Sequence, residues 1–169
     1  MKKITLLLAF IGMIGLSSCT REEVIVQNGN DNDTIAEVFE VTRSFGPANN
    51  FSSLVQFGQP IFASDMVLVY HLFDVVNGAD VWRLMPQTYY LDSGAALDYN
   101  FDFTRFDVNI FLDSDFPLTT IPPVWTQNQT FRILIIPAFR SGKTSQIDLK
   151  DYNEVVKFYG LKGQKPVKL

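Results

Sequence analysis

The chain has 169 residues, enough for one ordinary domain with a single well-buried core. Fourteen basic residues against eighteen acidic ones leave a net charge of −4, which argues against nucleic acid as a partner and against a polybasic membrane-binding surface. The single cysteine, Cys19, excludes an internal disulfide, and the single histidine, His71, leaves little material for Ser-His-Asp or Cys-His catalysis.

Lys2 and Lys3 open the chain, and Ile4 to Leu16 follow as an apolar run broken by Thr5, Gly12 and Gly15. That run suits a secretory signal and falls short of the roughly 20 residues a bilayer-spanning helix needs. Leu16-Ser17-Ser18-Cys19 closes it and resembles the lipobox of bacterial lipoproteins. The resemblance implies cleavage after Ser18, a signal peptide over residues 1–18, and acylation of Cys19. Three acyl chains would then anchor the protein to membrane lipid, since each buried methylene contributes about 0.8 kcal/mol. Loss of Lys2 and Lys3 brings the mature charge to about −6. Thr20 is not the aspartate that retains lipoproteins in the inner membrane, so an outer-membrane location is expected. Arg21-Glu22-Glu23 resembles a surface-export tag, and its plainer reading is a solvated charge cluster. Both the cell-surface and the periplasm-facing orientation therefore stay open.

Residues 19–33 form the lipidated cysteine and a flexible tether, because Asn28-Gly29-Asn30-Asp31-Asn32-Asp33 is polar and rich in turn formers. Val24-Ile25-Val26 is too short to build a core. A single domain is expected over residues 34–169. Val38, Phe39 and Val41 alternate loosely with Glu37, Glu40 and Thr42, and Leu54 to Phe57 forms a second short strand. Met66 to Phe73 is almost wholly apolar, as expected of a strand covered on both faces. Val81 to Leu84 and Thr88 to Leu91 flank Met85-Pro86, where proline implies an edge, bulge or break.

Leu97, Tyr99, Phe101 and Phe103 then occupy odd positions, and Phe106, Val108, Ile110 and Leu112 even ones. A strand repeats every two residues, so the change of parity at Thr104-Arg105 predicts a hairpin, with a bulge as the alternative. Phe131 to Ile136 is another buried strand after the Pro122-Pro123 loop. One helix is expected at about residues 149–159, with Asp148 as its N-cap, Leu149, Tyr152, Val155, Val156 and Tyr159 on one face, and Gly160 past its end. The fold class is therefore mainly β: an antiparallel β-sandwich, immunoglobulin-like or an open barrel, with one C-terminal α-helix.

Motifs that carry chemistry are scarce. His71 shares a strand face with Val67, Val69 and Phe73, the setting of a structural histidine. No G-x-S-x-G or H-E-x-x-H pattern is present. Ser141-Gly142-Lys143-Thr144 resembles the end of a phosphate-binding loop, but Pro137 stands where the motif needs glycine, so a surface turn is read. Asp98, Asp102, Asp107, Asp113 and Asp115, with Asn100 and Asn109, suggest the wet face of a hairpin. Calcium ligation and a paired-carboxylate hydrolase acting on polysaccharide are the alternatives. No cofactor and no metal site is expected. Fifteen Phe, six Tyr and two Trp are many for this length. Trp82, Tyr89, Tyr90, Tyr99 and Trp125 are candidates for a platform that binds sugars or peptides, with core packing as the plainer reading. Trp125, Trp82 and Tyr90 are the candidate ligand-binding residues, and Trp125 is the one expected to be most exposed.

Asp33-Thr34-Ile35-Ala36-Glu37-Val38-Phe39-Glu40-Val41, Asn49-Asn50-Phe51, Asp65-Met66-Val67-Leu68-Val69-Tyr70, Trp82-Arg83-Leu84, Pro86-Gln87-Thr88-Tyr89-Tyr90 and Asn100-Phe101-Asp102-Phe103-Thr104 together resemble a group of small uncharacterised lipoproteins of Gram-negative bacteria. That resemblance covers nearly the whole chain and implies no catalytic or binding residues. No Gly-x-y repeat and no dinucleotide fingerprint is present. The function expected is that of a lipid-anchored envelope or cell-surface module, non-enzymatic, that binds a glycan or an envelope protein or serves a structural role.

Overall fold

The computed structural model describes residues 24–25, 36–137 and 147–169. The lipobox with Cys19, the Arg21-Glu22-Glu23 cluster, the Asn28–Asp33 run and Ser141–Thr144 lie outside the described residues.

Among the described residues ten strands and one α-helix follow in chain order: β1 Val24–Ile25, β2 Glu37–Arg43, β3 Ser52–Phe57, β4 Met66–Val76, β5 Ala79–Leu84, β6 Gln87–Tyr90, β7 Ala96–Phe103, β8 Asp107–Ser114, β9 Gln129–Ile136, α1 Tyr152–Phe158 and β10 Val167–Lys168. They build two separate sheets, a first of order β1-β3-β8-β7-β6 and a second of order β10-β2-β9-β4-β5. The arrangement is a mainly β sandwich with one helix, and its two sheets stay open rather than closing into a barrel. All pairings among the longer strands are antiparallel, while β1 and β10 each add two residues in parallel to an edge.

The core lies between the sheets. Phe39, Val41, Val67, Val69, Phe131, Ile133 and Ile135 of the second sheet meet Val55, Leu97, Tyr99, Val108, Ile110 and Leu112 of the first. Alternation along each strand sends the intervening residues outward. On the first sheet these are mostly polar, Asp98, Asn100, Asp102, Asp107, Asn109 and Asp113, with Leu54 and Phe111 among them. On the second they are Val38, Leu68, Tyr70, Leu134 and Ile136, which pack with Val155 and Leu161 of the helical segment. Sheet faces covered on both sides explain why Val38 and Phe39 are both buried and why Val67–Tyr70 of β4 and Ile133–Ile136 of β9 are apolar at successive positions.

The hairpin expected from the parity change is present. Phe103 pairs with Val108, and Thr104 N–H donates to the Asp107 carbonyl at 2.9 Å, leaving Arg105-Phe106 as the loop. A second tight hairpin joins β4 to β5 through Asn77 and Gly78, at φ +52° and +79°. Two consecutive left-handed residues match the twist of the flanking strands, and Asn-Gly adopts them at low cost.

The helix is shorter than the sequence suggests. Asp151, not Asp148, is its N-cap: one side-chain oxygen accepts from Asn153 N–H at 2.9 Å and from Glu154 N–H at 3.2 Å. Asp148 instead closes a preceding turn, accepting from Lys150 N–H through its side chain at 2.9 Å and from Asp151 N–H through its carbonyl at 3.0 Å. Leu149 therefore sits in that turn, where its carbonyl accepts the Tyr70 hydroxyl at 2.7 Å. At the other end Gly160, at φ +70°, lets Leu161 N–H reach the Val156 carbonyl at 2.9 Å and end the helix. Asp151→Ala is expected to lower stability by about 1 kcal/mol in urea titration, and Asp148→Ala by less, because only the first leaves helix donors without an acceptor.

Candidate functional site

A recess of about 500 Å³ opens at one end of the sandwich, lined by Tyr90, Leu91, Asp92, Ser93, Ala95, Phe116, Thr120, Pro122 and Trp125. Two connections build it. The β6–β7 turn closes through Leu91 N–H to the Ala95 carbonyl and Gly94 N–H to the Leu91 carbonyl, with Gly94 at φ +81°. The β8–β9 loop carries a single 3-10 turn at Pro123–Trp125, where Trp125 N–H donates to Pro122 and Thr126 N–H to Pro123. Two adjacent prolines fix the backbone leading into that turn, so Trp125 is presented from a stiff segment.

Trp125 is half-buried, not the most exposed aromatic as the sequence suggests. Its ring lies 5.3 Å from Tyr89, and its carbonyl accepts the Tyr99 hydroxyl. Its remaining surface faces the recess. Tyr90, by contrast, is 78% exposed and stands at the recess rim. The structure thus brings Tyr90 and Trp125 to one place and sends Trp82 elsewhere. Trp82 points to the outer face of the second sheet, 5.7 Å from the Tyr152 ring, with the Arg132 guanidinium 4.1 Å over it. Its register partner Leu72 and its neighbour Leu84 dictate that face. Tyr89 and Tyr99 are core residues, so the five aromatics do not form one platform.

Beneath Trp125 lies a buried polar hub. Gln129 donates through its amide nitrogen to the Val124 and Gln127 carbonyls, at 2.9 and 2.8 Å. Its oxygen is thereby left facing His71 Nε2 at 3.0 Å. Nε2 must then carry the proton, and Nδ1 accepts the Tyr89 hydroxyl at 2.9 Å. The imidazole is stacked 4.5 Å from Tyr99 and 5.1 Å from Phe131. Burial disfavours its charged form and pulls the pKa down to about 4; the Gln129 hydrogen bond opposes the shift and the Arg83 charge reinforces it. Both ring nitrogens are engaged and the residue is 2% exposed, so His71 is placed to hold the fold together, not to exchange protons with a ligand. Tyr89 is itself pushed up to about 12, chiefly by burial, and is neutral at physiological pH.

The acidic residues serve local structure. Thr88 donates its hydroxyl to Asp98, Thr104 to Asp107 at 2.7 Å, and Ala96 N–H reaches Asp115 at 3.0 Å. Asp98 pairs across the strands with Asp113, and Asp102 with Asn109. Among the described residues no group of three or more His, Cys, Asp or Glu is gathered as a metal site.

Sequence reasoning missed Leu91, Asp92, Ser93, Phe116 and Thr120 as recess residues. Two turn signals, Asp92-Ser93-Gly94 and Pro122-Pro123, lie in the segments that form it, but nothing local says that these turns meet. No protein-family model, no curated protein and no solved structure matches the chain.

Proposed function

We propose that this protein is a lipid-anchored envelope module, held to the outer membrane by acylated Cys19 and facing either the cell exterior or the periplasm. It binds a glycan or a glycan-bearing envelope component in the recess between the β6–β7 turn and the β8–β9 loop. The observation that carries this reading is the convergence of Tyr90 and Trp125, remote in sequence, on one concave surface with Asp92, Ser93 and Thr120 beside them. Aromatic faces pack on the C–H faces of sugar rings, and the few polar groups fix orientation. Asp92 is the single carboxylate in the lining, which favours binding over hydrolysis by a carboxylate pair. Nucleic acid is disfavoured by the negative charge.

Tyr90→Ala is the clean test, because Tyr90 is exposed and its loss leaves the core intact. Affinity for the bound glycan on an array, or in pull-down of envelope polysaccharide, is expected to fall by roughly tenfold while the melting temperature stays put. Unchanged binding would remove the recess from consideration. Mass spectrometry of Cys19 tests the anchor, and protease shaving of intact cells tests the orientation.

A further inference from the structure

The carbonyls that follow one another through the Trp125 turn are all held from the strands around it. Gln129 Nε2 donates to the Val124 carbonyl at 2.9 Å and to the Gln127 carbonyl at 2.8 Å. Between them, the Tyr99 hydroxyl donates to the Trp125 carbonyl and Phe45 N–H to the Thr126 carbonyl, the latter at 2.8 Å. A backbone gripped at successive residues, with Pro122 and Pro123 stiffening its approach, has little room to rock.

Gln129 makes two of these bonds, and its own orientation is set from behind. Its oxygen accepts from His71 Nε2–H at 3.0 Å, and the Tyr89 hydroxyl donates to His71 Nδ1 at 2.9 Å, which fixes that tautomer. An inverted amide would set its oxygen against two carbonyls and its nitrogen against the His71 N–H. Tyr89, His71 and Gln129 therefore admit one arrangement, and that arrangement places the Trp125 backbone. Tyr89 also meets the Trp125 ring itself, at 5.3 Å. Nothing comparable holds Tyr90 at the recess rim: it is 78% exposed, and among the described residues its side chain makes no hydrogen bond or ring contact. Order in the recess is thus uneven, and the fixed ring is the one that Gln129 serves.

From this geometry we infer that Gln129 is the positioning residue of the recess: it holds Trp125 in its binding position before any ligand arrives. The inference rests on the glycan reading proposed above and adds to it how the site is prepared. A ring already in place need not be ordered on binding, an advantage of about threefold to tenfold in affinity for one side chain.

The test uses the full-length protein carrying Trp82→Phe, in which Trp125 is the sole tryptophan. Time-resolved fluorescence anisotropy then reads the motion of that ring with no ligand present. Gln129→Glu keeps the shape of the side chain and the acceptor for His71, but turns an oxygen without protons toward the Val124 and Gln127 carbonyls. The amplitude of fast ring motion is expected to rise about threefold over the Trp82→Phe parent, with far-UV circular dichroism unchanged. On an array of bacterial surface polysaccharides, the same variant is expected to bind roughly threefold to tenfold more weakly than its parent. An unchanged amplitude overturns the inference. If Gln129→Glu does not fold, Gln129→Met, unbranched and without donors, is measured in its place with the same two outcomes. A released ring with unchanged affinity overturns the inference too, because the position of Trp125 would then be immaterial to what binds. Should the parent retain no polysaccharide, the glycan reading falls by itself, and the anisotropy still decides whether Gln129 holds Trp125.

Discussion

Acidification from pH 7 to pH 4 is expected to remove about 3 kcal/mol of stability through His71 alone. The folded pKa of about 4 lies below the unfolded value of 6.5. Between those values the unfolded chain takes up a proton that the native imidazole refuses. Stability is therefore complete above pH 6.5, falls by up to about 1.4 kcal/mol per pH unit, and levels off below about pH 4 as far as this residue is concerned. Carboxylates add their own acid sensitivity, so the comparison must be internal. Urea midpoints of the native protein and of His71→Asn, followed from pH 7 to pH 4, should converge as pH falls, because the variant has nothing to protonate there. A constant gap between the two curves would mean that His71 is not held neutral by burial. The consequence reaches the recess: Nδ1 loses its acceptor role on protonation, and Tyr89, which carries Trp125 at 5.3 Å, loses its anchor.

Phe131→Ala is expected to cost about 3–5 kcal/mol in urea titration, a large share of the roughly 5–15 kcal/mol that holds a domain of this size together. Phe131 is fully buried on β9, which lies between β2 and β4 in its sheet. Its ring meets Phe45 edge-to-face at 6.0 Å, stacks with His71 at 5.1 Å and lies 6.2 Å from Tyr99, so three partners lose contact at once. β9 is hydrogen-bonded to a strand on each side, which limits its collapse into the space. Leu54→Ser, on the outer face of the first sheet and 54% exposed, should change stability by less than about 0.5 kcal/mol. Equal effects for the two substitutions would contradict the assignment of the core.

The layers were legible in the sequence because they follow from periodicity. The shift from odd to even apolar positions required a reversal at Thr104-Arg105, and the hairpin is there. The almost wholly apolar run from Met66 to Phe73 implies a strand covered on both faces, and the segment around α1 supplies the second cover for Leu68 and Tyr70. Asn77-Gly78 is a strong two-residue hairpin signal, and β4 turns back into β5 through it. The helix start was misplaced because Asp148 and Asp151 are both good caps, and only the turn closed by Asp148 decides between them. Of the three candidate rings Trp82, Tyr90 and Trp125, two meet at the recess and Trp82 packs on the outer face of the second sheet, because composition carries no information on which layer a ring joins. The His71 hub was hidden for the same reason: its partners stand 18 and 58 residues away, and only the completed sheets bring them within hydrogen-bond range.

The two-residue strands at either extremity of the sheets have one more implication. A sheet ends in a ladder of unpaired N–H and C=O groups that will accept any passing strand. β10 occupies part of that ladder on β2, with Lys168 4.0 Å from Glu40, and β1 occupies part of it on β3. The opposite margins are β6, only four residues long, and β5, six residues long, whose pairing with β4 is interrupted where the β4 register shifts between Leu72 and Asp74. Each border is thus short, irregular or capped by the chain's own ends. Crowded copies would accordingly find little purchase for zipping into fibrils, and removal of β1 or β10 would expose a sticky seam.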